Sequence, residues 1–253
     1  IFAVTHAYSG YPMVKQARQM IANGDLGTIR RVVVEYPQGW LSTALESTDQ
    51  KQAAWRTDPL RSGASGAVGD IGTHAAHLAE YVSGLRIKEL CADVHTHVKG
   101  RRLDDDASVL LRFDNGDRGL LHASQIAAGE ENNLRLRVYG EKGSIDWSQM
   151  EPNSLVVRWL DQPMQVYRTG VGSLFPEATI HSRVPSGHPE GYLEAFGNIY
   201  RDVAFCIQAR LNGQTPDPLY RDFPSVEDGV RGIRFIEAVV RSGHNNTHKW
   251  LKI

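Results

Sequence analysis

The chain has 253 residues, 41% hydrophobic and 23% charged, the composition of a globular protein able to bury a sizeable core in one large domain or two small ones. A formal net charge of −1 gives no electrostatic reason to expect nucleic acid or an anionic membrane as a partner. No apolar run approaches membrane-spanning length, and Cys91 and Cys206 match no metal spacing, so a reducing, cytoplasmic setting is expected.

Taken in order, Ile1 to Thr5 reads as a short strand, opened in mid-pattern as in a fragment of a longer protein. Pro12 suits a first helical position, and Met13, Val14, Ala17, Met20 and Ile21 follow a 3.6-residue period up to Asn23-Gly24. Ile29 to Tyr36 is a β-branched strand. Gln38 to Ala54 has little periodicity and reads as a long loop or lid bracketed by Trp40 and Trp55, the kind of loop that is usually functional.

Gly63 to Glu80 begins with glycines and small residues and turns into a helical pattern closed by Gly84. Asp70, His74 and His77, at i, i+4 and i+7, share one face of that helix. Three roles suit this spacing: Asp70 as an N-cap with ordinary polar histidines, a general acid/base pair, or a metal site. Spacing alone does not separate them.

Beyond Gly84 the chain is strand-rich. Leu90 to Val98, Ser108 to Phe113, Gly119 to Ile126, Leu134 to Tyr139, Ser144 to Trp147, Leu155 to Leu160 and Gln165 to Arg168 are joined by short turns, among them Asp114-Asn115-Gly116-Asp117. Short turns make an antiparallel meander, because parallel strands need long crossovers. Arg101-Arg102, just before Asp104 to Asp106, reads as a solvated turn. Glu190 to Asn212 is helical, Ser225 opens a last helix running to about Arg241, and Trp250-Leu251 suits a final strand. The expected class is α+β: a largely antiparallel open sheet with helices on one face. Neither face of Leu120 to Ile126 is clearly polar, so the uncovered face is expected to pair as a homodimer or homotetramer.

Trp55-Arg56-x-Asp58-Pro59, Ser62-Gly63-x-x-Gly66 and Asp70-Ile71-Gly72-Thr73-His74 together resemble the glucose–fructose oxidoreductase / inositol dehydrogenase (Gfo/Idh/MocA) family of nicotinamide-dependent sugar and cyclitol dehydrogenases. Further resemblance lies in Ile21 to Ile29, Asp105 to Ser108, Val138 to Ile145, Leu193 to Phe196 and Glu227 to Gly229. The resemblance implies the substrate-binding domain of a two-domain dehydrogenase. Residues 1–10 would be the last strand of a nucleotide-binding domain, and residues 11–253 the substrate-binding and oligomerisation domain. No Gly-x-Gly-x-x-Gly follows a strand, so NAD or NADP is implied for the intact protein and none for this chain alone.

By the same resemblance His74 and Asp70 fall on the family's catalytic pair, with His74 taking the hydroxyl proton. His77 stands where an aspartate is frequent, and is expected beside the site. Trp55 and Arg56 suit either the lining of a sugar pocket or the anchoring of the loop onto the helix, and Gly69 and Gly72 would let ligands approach the backbone. His122 and Gln125 have opposite strand parity, so only one should face the pocket unless a bulge intervenes. His188, before Pro189, suits either closing the far side of the site or a plain helix start. The implied partner is a sugar or polyol, with no nucleic acid, membrane or metal. A non-catalytic sugar-binding or oligomerisation module, and a metal-dependent sugar isomerase or hydrolase, are the alternatives.

Overall fold

The computed structural model describes residues 1–243 and 249–253, which form two compact units. The first comprises Ile1–Ile29, Tyr81–Gly84 and Val138–Val230. Pro12 opens its helix α1 (Pro12–Ala22), where a missing N–H costs nothing, and Met13, Val14, Ala17 and Met20 are buried. Strands β6 (Gly143–Ser148), β7 (Ser154–Trp159) and β8 (Gln165–Arg168) pair antiparallel, with Gly143 opposite Trp159 and Ser154 opposite Arg168. A short helix, α5 (Pro176–Thr179), and the long α6 (Tyr192–Leu211) complete the unit's main elements. Trp147 is fully buried, its ring 5.5 Å from that of Tyr11.

Ile1 to Thr5 does not form the expected strand. A strand needs a neighbour that repeats its hydrogen bonds, and this segment donates from Val4 N–H to the Pro224 carbonyl (2.9 Å) while Ile1 and Phe2 stay exposed. Residues 7–10 form a 3-10 turn seated on α6. A Cβ on Gly10 would fall 2.1 Å from the Ala195 carbonyl oxygen, so this approach requires glycine.

The second unit comprises Arg30–Glu80, Leu85–Arg137 and Arg231–Ile253. It holds β1 (Ile29–Pro37, from Arg30), β2 (Ile87–His95), β3 (Asp106–Phe113), β4 (Arg118–Ser124), the start of β5 (Arg135–Gly140) and β9 (Leu251–Lys252), in the order β5-β1-β4-β3-β2-β9. Strands β2, β3 and β4 form the meander, Val94 opposite Ala107 and Ser108 opposite His122. Strand β1 departs from that pattern by joining β4 in parallel, Val34 opposite Leu121. The chain between them, from residue 38 to 117, supplies the long crossover that parallel pairing needs.

One face of this sheet buries Val32, Val34, Leu90, Ala92, Val109, Leu111, Leu121 and Ala123. Helices α4 (Thr73–Ser83) and α7 (Val226–Gly243) cover it within the unit. Ser242 Oγ accepts from Ala92 N–H (2.9 Å), and a Cβ on Gly72 would meet the Ala123 Cβ at 3.5 Å. The other face carries Glu35, Cys91, Ser108 and His122, with Leu110 49% and Leu120 38% exposed around a concavity of about 520 Å³. The architecture is therefore α+β, a largely antiparallel open sheet with its helices on one face. Among the described residues, no helix is long and apolar enough to cross a membrane.

Glu80 ties α4 to its surroundings in this unit. Its Oε1 accepts from Ile87 N–H (2.6 Å), and its Oε2 accepts from Arg231 Nε (2.8 Å) and Arg86 Nη1 (3.1 Å). Truncating a nearly buried carboxylate strands those donors, so Glu80→Ala should lower unfolding free energy by about 2–3 kcal/mol in a urea titration.

Candidate active site

The helix that carries Asp70 and His74 starts earlier than its periodicity suggests. It opens at Ala67, runs through a π-helical turn, Val68–Gly72, and continues as α4. Such wide turns recur at functional positions. Asp70 is not its N-cap. That role belongs to Asp104, whose Oδ1 accepts from Gly66 N–H (2.8 Å) and Ser65 Oγ–H (2.7 Å) and whose Oδ2 accepts from Val68 N–H (2.9 Å). The Asp104 carbonyl also accepts from Ala67 N–H (2.9 Å). A Cβ on Gly66 would lie 2.2 Å from that carbonyl oxygen, so glycine is needed for the cap to close.

With capping done elsewhere, the Asp70 carboxylate faces side chains. Its Oδ2 accepts from Arg56 Nε (3.0 Å) and from Gln125 Nε2 (2.8 Å). Arg56 ends α2 (Lys51–Arg56), a helix that begins within the Gln38–Ala54 segment expected to be loop; α3 (Pro59–Ser62) follows it, capped by Asp58. The guanidinium stacks on Trp55 at 4.3 Å and lies 5.8 Å from the Trp40 ring centroid. Gln125 is buried just past the end of β4. Its N–H donates to the Asp105 carbonyl (2.9 Å), and its carbonyl accepts from Leu41 N–H (3.0 Å). The backbone is thus held from both sides while the side chain reaches Asp70.

His74 follows Asp70 by one turn and is half-buried. Burial pushes its imidazole below the usual histidine range, and the negative Asp70 opposes that shift. Near neutral pH the ring is therefore an uncharged base. His77, also half-buried, lies on the next turn.

The structure thus gathers Trp55, Arg56, Asp70, His74 and Gln125, and adds Trp40, which the sequence marked only as a bracket of the loop. It separates His122 from them. His122 lies on the opposite sheet face, with Nδ1 3.5 Å from Ser108 Oγ and Nε2 3.9 Å from Asp106, as strand parity dictates. His188 belongs to the other unit, exposed, its Nδ1 3.2 Å from the Pro185 carbonyl. Gly72 faces the sheet rather than a ligand, and a Cβ on Gly69 would meet only Ser65. Arg101, expected in a solvated turn, is buried.

The donor set bears on two cofactors. Asp70 is ion-paired with a guanidinium, which competes with a metal, and among the described residues no cluster of three His, Cys, Asp or Glu could hold one. A dinucleotide pyrophosphate needs free N–H groups at a glycine-rich helix start. The helix start after Gly63–Gly66 already donates to an internal anion, Asp104, so these residues do not form such a cradle.

A family model, the GFO/IDH/MocA C-terminal domain, matches residues 14–146, and the chain belongs to this family. It is 44% identical to an oxidoreductase from Sinorhizobium meliloti (TM-score 0.87), covering 100% of this chain and 65% of that one. It is 35% identical to an inositol dehydrogenase homologue from Azotobacter vinelandii solved with NAD+ (TM-score 0.92), over 99% of this chain and 64% of that one, and 34% identical to an inositol dehydrogenase homologue from that organism solved with NADH and myo-inositol (TM-score 0.87), over 99% of this chain and 64% of that one. It is 34% identical to the uncharacterised oxidoreductase YfiI of Bacillus subtilis over 98% of this chain and 63% of that protein. The chain spans just under two thirds of the length of these relatives.

Removing the internal cap should loosen the turn that presents Asp70. Asp104→Ala is expected to cost about 2–3 kcal/mol in a urea titration, with Asp104→Asn recovering part of it.

Proposed function

We propose that this chain is the substrate-binding half of an NAD(P)-dependent oxidoreductase that oxidises a hydroxyl of a sugar, sugar derivative or cyclitol. The observation that carries the reading is Asp70 Oδ2 held by Arg56 and Gln125, one helical turn before the half-buried His74. The Azotobacter relative's complex with NADH and myo-inositol supports a ring-shaped polyol as substrate. A reducing, cytoplasmic setting fits the two free cysteines, Cys91 and Cys206.

Oxidising a carbinol removes a hydride from carbon and a proton from oxygen. Bound nicotinamide supplies the hydride acceptor in such chemistry, and the residues described above handle the proton and the hydroxyls. His74 accepts the O–H proton as the C–H bond breaks, becoming an imidazolium that Asp70 stabilises. Because Oδ2 takes both donors, Oδ1 of Asp70 is available to a substrate hydroxyl. Trp55 and Trp40 flank Arg56 with flat apolar faces suited to the C–H edges of a sugar ring.

In the intact enzyme, His74→Ala should lower kcat by about 10²- to 10⁴-fold and leave the urea midpoint nearly unchanged. Wild-type turnover would end its role as base. Because burial lowers the His74 pKa, the acid limb of kcat/KM should fall below about pH 6.5, the ordinary histidine value. A limb well above that value would contradict the assignment. Clear polyol binding with no change in NAD(P)H absorbance across a sugar panel would favour a non-redox module instead. Activity that requires added metal would favour the isomerase or hydrolase.

The same reading includes a homodimer or homotetramer formed through the outward face of β2 to β4, where Leu110 and Leu120 are exposed. The double substitution Leu110→Glu and Leu120→Glu should then release monomers in sedimentation velocity while preserving the circular dichroism spectrum.

A further inference from the structure

The segment from Gln38 to Ser47 crosses the candidate site and carries Trp40. Its polypeptide is tied down at its start, where Gln38 N–H donates to the Ser124 carbonyl (2.7 Å) and Gly39 N–H to the Glu130 carbonyl (2.8 Å). Leu41 N–H then donates to the Gln125 carbonyl. Beyond Leu41, among the described residues, one side chain from outside the segment holds it. The Arg101 side chain is 1% exposed, and its Nε and Nη2 donate to Glu46 Oε1 and Oε2, both at 2.8 Å. Its Nη1 donates to the Leu41 carbonyl (2.9 Å) and to Asp105 Oδ2 (3.2 Å), and its Nη2 also donates to the Thr43 carbonyl (3.1 Å).

These contacts use all five donors of a guanidinium. Four of them go to the six residues Leu41 to Glu46. The fifth goes to a buried carboxylate that is itself fixed by His97 N–H (2.8 Å) and Val98 N–H (3.0 Å). The fork also holds the Glu46 carboxyl below the ordinary glutamate range. A surface loop that needed only to be closed off would not require a fully buried, fully satisfied arginine.

We infer that Arg101 is a positioning residue for substrate binding: it pins the Leu41–Glu46 strap, the direct continuation of Trp40, and so helps to keep the Trp40 ring beside the Arg56 guanidinium. It touches neither Asp70 nor His74 in any described contact, so it acts through the strap. The segment is then a fixed wall of the pocket and not a lid that opens. Lysine does not replace it, because a single ammonium offers three donors from one point and cannot span Glu46, Leu41, Thr43 and Asp105 together.

The inference rests on the dehydrogenase reading, and two measurements keep their failures apart. The first uses 5-fluorotryptophan labelling and ¹⁹F NMR, with Trp40→Phe assigning the Trp40 resonance. Arg101→Gln and Arg101→Lys should both shift and sharpen that resonance towards its solvent-exposed position while the resonance of buried Trp147 stays in place. An unmoved Trp40 resonance in both variants would overturn the inference whether or not the protein is an enzyme. The second uses the intact enzyme with myo-inositol as probe. Both variants should raise KM about tenfold, with kcat within about twofold and an unchanged kcat–pH profile, as expected when positioning and not proton transfer is lost. A fall in kcat matching the rise in KM would also overturn it. If the wild-type enzyme oxidises no polyol, the dehydrogenase reading fails and the ¹⁹F measurement alone decides the role of Arg101.

Discussion

The candidate site depends on a carboxylate held from two sides. A carboxylate at the first turn of a helix would ordinarily turn back to the free N–H groups there, and an Asp70 bound in that way would face its own backbone. Asp104 removes that option by reaching in from a different part of the chain and occupying Gly66 N–H and Val68 N–H. Asp70 is left with two side-chain donors on one oxygen, an arrangement that fixes the plane of the carboxylate and keeps its second oxygen free of a described donor. The same internal anion closes the glycine-rich helix start to phosphate. One capping interaction therefore accounts for what this helix presents and for what it does not bind.

Helices and strands were legible where a face had to be buried. The periods of α1, α6 and α7 and the turns of the meander locate those elements to within a few residues, because the apolar stripe and the Asn-Gly turn are local signals. The parallel insertion of β1 beside β4 was not legible, since nothing in Ile29 to Tyr36 names its neighbour. Ile1 to Thr5 read as a strand because β-propensity says nothing about whether a partner exists. In the site, the family motif brings out Asp70, His74, Trp55 and Arg56, and parity puts His122 and Gln125 on opposite faces, of which the Gln125 face carries Asp70. Parity alone does not say which face that is, because that depends on which sheet face the helices cover.

Arg101 shows where sequence reading fails most. Next to Arg102 and shortly before three aspartates, it looks like one charge among many in a hydrated turn. Arg102 fits that description, 61% exposed and paired with Asp58. Arg101, its neighbour, is buried, and its partners lie 4 to 60 residues away in sequence, three of them on one short segment. Backbone carbonyls are invisible to pattern reading because every residue has one. A buried arginine that binds carbonyls therefore leaves almost no sequence trace.

Alternation along the sheet lets a few residues face two different surroundings. Along β4 the side chains alternate, so Leu121 and Ala123 build the core while Leu120 and His122 face away from the helices. Past Ser124 the strand ends, and the backbone of Gln125 is bonded to Asp105 on one side and Leu41 on the other. The bond to Asp105 carries the β3–β4 register one residue past the Asp106–Ser124 pair, so Gln125 keeps the parity of Leu121 and Ala123 and its side chain reaches Asp70 on the helix-covered face.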